Sequence, residues 1–76
     1  MQLASAAEAR RHLDDAERYI EQSSRQIRAA AADLRGEQPF DAFDTCDLAT
    51  VDLVRALNAI VLARDVIAAD EDSDAG

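Results

Sequence analysis

The stretch Leu13-Asp14-Asp15-Ala16-Glu17-Arg18-Tyr19-Ile20-Glu21-Gln22-Ser23-Ser24-Arg25-Gln26-Ile27 decides the fold. Leu13, Ile20 and Ile27 recur at intervals of seven, and Leu34 extends the series. Three residues after successive members, counting Ala6 as the first, come Ala9, Ala16, Ser23 and Ala30, all small. One large and one small apolar position per seven residues make the seam of a packed helix. The spacing predicts a helix over about 3–35.

Downstream, Gly36 has the character of a residue just past a helix end, and Pro39 cannot continue that helix. Asp44 is a candidate N-cap, with Asp47 three residues on as a weak capping-box partner. The sequence therefore predicts a hinge over 36–44, a second helix over about 45–69 and a frayed acidic tail over 70–76. The second helix repeats the layout of the first. Cys46, Leu53, Ile60 and Ile67 are spaced by seven, and Ala49, Ala56 and Ala63 follow three residues behind. Matched seams predict an all-α, single-domain antiparallel hairpin, with the large side chains of one helix lying over the Ala of the other.

Seventy-six residues are few for a lone domain, because a chain of this size buries only about 60% of the surface its unfolded form exposes. The single Cys46 closes no intrachain disulfide, and there is no Cys/His cluster for a structural metal, so association is the expected route to more burial. The second helix has the apolar surface for it. Beyond its seam it carries Leu48, Val51, Val54, Leu57, Val61, Leu62 and Val66, spread around much of its circumference. Leu53, Val54, Leu57, Ile60 and Val61 are thus the expected interface. They serve a symmetric four-helix homodimer with the second helices inside, or a docking surface for a different protein.

With 49% hydrophobic and 32% charged residues the chain is expected to fold. Its charge is uneven. There is no Lys, and eight Arg face 16 acids for a net charge of −8. Residues 1–35 carry six Arg and six acids, whereas 36–76 carry two Arg and ten acids, so the whole excess lies in the second half. Such a surplus argues against general nucleic-acid binding, which needs cations to neutralise phosphates. No run is apolar enough for a signal peptide or a membrane span, and a cytoplasmic location is expected.

Phe40, Asp41, Phe43, Asp44, Asp47 and Asp52 gather around the hinge. The two aromatics are expected to fold over the open end of the bundle; the other reading makes this acidic, aromatic cluster a tip for a partner with a basic or apolar groove. Cys46, on the seam, is expected to be a small buried residue. His12 shares a helix face with Glu8 and Asp15, read as ordinary surface groups. No nucleophile with a base, no second His and no Gly-rich phosphate loop is present, so neither catalysis nor a cofactor is expected.

Arg11, Arg18 and Arg25 also recur every seven residues, with Asp14 and Glu21 four residues before Arg18 and Arg25. They read first as a solvated face supported by ion pairs. The layout as a whole is similar to that of the plasmid-encoded Rop protein, an antiparallel hairpin dimer; that resemblance, which is architectural, implies RNA phosphates as the alternative ligand of this Arg stripe. A second, local resemblance covers Cys46–Leu57, which is similar to the second helix of acyl carrier proteins. Asp47 stands where that family has its prosthetic-group Ser, so no such group is implied. The expected function is that of a small acidic, non-enzymatic interaction protein, of the type of bacterial or phage regulators and anti-activators. It would modulate or inhibit a protein target, with spaced carboxylates able to mimic nucleic-acid phosphates.

Overall fold

A computed structural model describes residues 2–75, with side chains from 2 to 71. The chain forms two helices, α1 (Leu3–Arg35) and α2 (Pro39–Ala75), packed along their lengths as a hairpin. The hinge is shorter than the sequence predicts. Instead of nine residues it uses Gly36, Glu37 and Gln38, because Pro39 opens α2 rather than standing outside it. A proline is at home in the first helical position, where its missing N–H would have no intrahelical partner. The Gln38 carbonyl accepts the first helical bond from Ala42 N at 3.1 Å. Asp44 is accordingly not an N-cap but lies inside α2, and the acid in the first turn is Asp41.

The end of α1 also differs from expectation. Gln38 N donates to Asp33 O at 2.8 Å and Glu37 N donates to Leu34 O at 3.2 Å, the paired bonds of a Schellman motif. In that motif the left-handed residue is Glu37, with φ 60°, while Gly36 keeps φ −87°. The glycine that punctuates the sequence therefore sits one residue before the position that requires its conformational freedom.

At the far end α2 extends through Ala75, past the end expected near residue 69, and Gly76 lies outside the described residues. The antiparallel fold sets Asp70 against the N-terminus of α1. There both carboxylate oxygens accept from Gln2 N at 3.3 Å. Gln2 contributes no side-chain cap and α1 has no acid in its first turn. Asp70 supplies from the other helix the anion that α1 lacks.

Between these ends the helices meet on their small residues. Ala9, Ala16, Ser23 and Ala30 of α1 and Ala42, Ala49, Ala56 and Ala63 of α2 are buried. Ser23 Oγ donates to Ala49 O at 3.1 Å and so fixes the register. That register sets Ala9 opposite Ala63, Ala16 opposite Ala56 and Ala30 opposite Ala42. Small stands against small, not large over small as the matched seams suggest. Alanine on both helices at one level lets the backbones approach, and the large side chains are left at the margins of the contact.

Candidate functional site

The small seam divides the hairpin into two faces, and helix geometry says what lies on each. A residue three before a seam position and one three after it project to opposite sides of the contact. Because α2 runs antiparallel, the residues three before the seam in both helices share one face of the hairpin. On this face α1 contributes Leu13, Ile20, Ile27 and Leu34, and α2 contributes Cys46, Leu53, Ile60 and Ile67. The register places Leu13 beside Ile60, Ile20 beside Leu53 and Ile27 beside Cys46. No charged residue belongs to either row. Every one of these side chains is exposed, Ile20 at 46% and Leu53 at 47%. Cys46 is therefore not the buried residue the sequence suggests: it belongs to the large row, which the hairpin leaves uncovered.

The opposite face carries the residues three after the seam and is more polar. His12, Tyr19, Gln26 and Asp33 of α1 run alongside Thr45, Asp52, Ala59 and Val66 of α2. Tyr19 packs on the cluster of Ala16, Ala56 and Ala59. The Arg55 guanidinium lies 6.0 Å from the centre of its ring and 3.7 Å from the Asp52 carboxylate. Asp52 is 7% exposed and held in this group, so it does not join the exposed acids of the hinge as a partner contact. His12 Nε2 lies 4.0 Å from Glu8 Oε1. No group of three or more metal-ligating side chains occurs among the described residues.

The outward edges of the two helices differ in kind. That of α1 is charged, with Arg11, Arg18 and Arg25 in one exposed row and Arg18 paired with Asp15. That of α2 mixes apolar and acidic side chains: Phe40, Asp44, Asp47, Val51 and Val54 are exposed along it and Val61 is half-buried. Phe40, 86% exposed, and Phe43 do not fold over the open end of the bundle, because the early start of α2 commits them to helical directions that point away from α1. The five expected interface residues thus fall on two surfaces. Leu53 and Ile60 lie on the broad face made by both helices, Val54 and Val61 on the outer edge of α2, and Leu57 on the rim between them.

This division was not legible in the sequence. Periodicity identifies the rows, but the row that turns inward is known only once two helices are paired. No described helix is long and apolar enough to cross a membrane. No protein-family model, no curated protein and no solved structure matches the chain.

Proposed function

We propose that the protein is a small acidic interaction protein that acts by occupying a surface of another protein, and that its working form is a homodimeric four-helix bundle. The observation that carries the reading is the amount of large apolar side chain the hairpin leaves in solvent. Among the described residues the largest fully buried side chain is that of Ser23, while Leu13, Ile20, Ile27, Leu53, Leu57 and Ile60 are all exposed. A monomer arranged in this way presents its hydrophobic residues rather than enclosing them, as an association surface does.

The outer edge of α2 supports a target of particular chemistry. Phe40, Val51 and Val54 offer apolar anchors, and Asp44 and Asp47 stand among them. An apolar groove with a basic rim complements that pattern, since charge placed around apolar anchors steers the encounter and fixes the register. Carboxylates spaced along a rigid helix also suit mimicry of nucleic-acid phosphates on such a groove.

The test is recovery of the partner from the native cell, followed by binding measurements with Val54→Asp and with the pair Asp44→Arg, Asp47→Arg. The expected result is that each loses the partner while keeping wild-type helicity, and that wild-type binding weakens with added salt. Full retention of the partner by both variants would overturn the reading.

A further inference from the structure

We infer that the broad face made by both helices is the self-association surface, covered by a second copy of this chain, and that the outer edge of α2 stays free for the target. The inference rests on the interaction-protein reading above and deepens it by assigning each of two apolar surfaces one occupant.

The chain exposes 5663 Å². A compact monomer of 8.2 kDa exposes about 4,500 Å². The excess, roughly 1,100 Å² over the whole chain, is surface that a compact monomer of this mass encloses, and a standard protein interface takes approximately 800 Å² from each partner. Shape agrees with area. The molecule measures 59 × 15 × 11 Å with a radius of gyration of 17.2 Å. A compact chain of this length has a radius of gyration of about 11 Å. One further layer of the same dimensions on the broad face would turn a two-helix slab into a bundle of ordinary proportions.

The pattern on the face selects a second copy as the occupant. Its two central rows, Leu13 to Leu34 and Cys46 to Ile67, carry no charge in a chain of net charge −8. A basic partner would find no acid there to recognise. Both rows repeat every seven residues, so their large side chains stand in levels about 10 Å apart. Another copy presents levels at the same spacing, and layers of large residues can interdigitate along the whole length. The outer edge of α2 is interrupted by Asp44, Asp47 and Asp65 and lacks this regularity.

Cys46 makes the assignment measurable, because it is the only thiol, lies on the broad face and is exposed in the single hairpin. Sedimentation of the full chain should give twice the chain mass. Thiol-reagent reactivity of Cys46 should fall at least tenfold between dilute protein and protein concentrated enough to be dimeric. Added salt should strengthen the dimer, since it screens repulsion between two chains of charge −8 each. Leu53→Asp should weaken dimerisation on the order of a hundredfold, as it places an unpaired carboxylate in the interface, whereas Val54→Asp should leave it within a factor of about three. Should Leu53→Asp fail to fold, the wild-type Cys46 measurement still decides. A dimer with Cys46 as reactive as in dilute protein, or one broken by Val54→Asp and not by Leu53→Asp, overturns the assignment of the face and leaves self-association standing. A monomer at every concentration overturns self-association itself.

Discussion

Ser23 Oγ donates to the carbonyl of Ala49 across the helix pair, 3.1 Å away and fully buried. Only helices in close approach can make a bond between a side chain this short and a neighbouring backbone, so the serine marks how tightly the alanine seam closes. Replacing Ser23 by Ala should lower stability by about 1 kcal/mol and keep the hairpin, because the smaller side chain still fits the seam. Ser23→Leu or Ala56→Leu should cost more, roughly 1–3 kcal/mol or beyond, by wedging the helices apart. Denaturant titrations followed by circular dichroism at one fixed protein concentration check the order. Equal stability of the Ser and Leu forms at position 23 would contradict the seam.

The hinge contains a strained residue beside an unstrained glycine. Glu37 adopts φ 60° while Gly36 adopts φ −87°. Glu37→Gly should therefore raise stability by about 1 kcal/mol. A Cβ at position 36 would come no nearer than 3.7 Å to the Ala32 and Asp33 carbonyl oxygens. Gly36→Ala should consequently add about 0.4–1 kcal/mol by restricting the unfolded chain. Thermal midpoints of the two single variants test both statements, and Glu37→Val, with a β-branched residue at positive φ, should move the midpoint down.

At the end away from the hinge, the buried Asp70 accepts from Gln2 N and stands at the positive end of the α1 dipole. Asp70→Ala should cost about 0.5–1.5 kcal/mol and accelerate amide hydrogen exchange in the first turn of α1 more than elsewhere. Gln2→Ser, which provides the side-chain cap that Gln2 does not, should recover part of that loss. Exchange that speeds up uniformly along α1 would mean that Asp70 does not act as the cap.

The Arg stripe offers a direct check on nucleic acid as a ligand. Arg11, Arg18 and Arg25 are exposed on the outer edge of α1, but Arg18 is already paired with Asp15 and the chain carries a net charge of −8. Fluorescence anisotropy with a stem-loop RNA should detect no binding at moderate salt. Affinity that falls steeply with salt, with a slope reduced by about one for each Arg replaced by Gln, would favour the RNA reading.

Two helices and their antiparallel pairing were determined by sequence alone, because the seven-residue spacing of Leu13 to Leu34 and Cys46 to Ile67 and the break before Pro39 are local properties of the chain. The identity of the inward row, the freedom of Cys46, Phe40 and Phe43, the burial of Asp52 and the capping role of Asp70 were decided only by the tertiary structure. Each depends on what the opposite helix presents at the same level. Alanine meets alanine, so the backbones close on the small rows, and the large rows that look like a core in the one-dimensional pattern become an uncovered face.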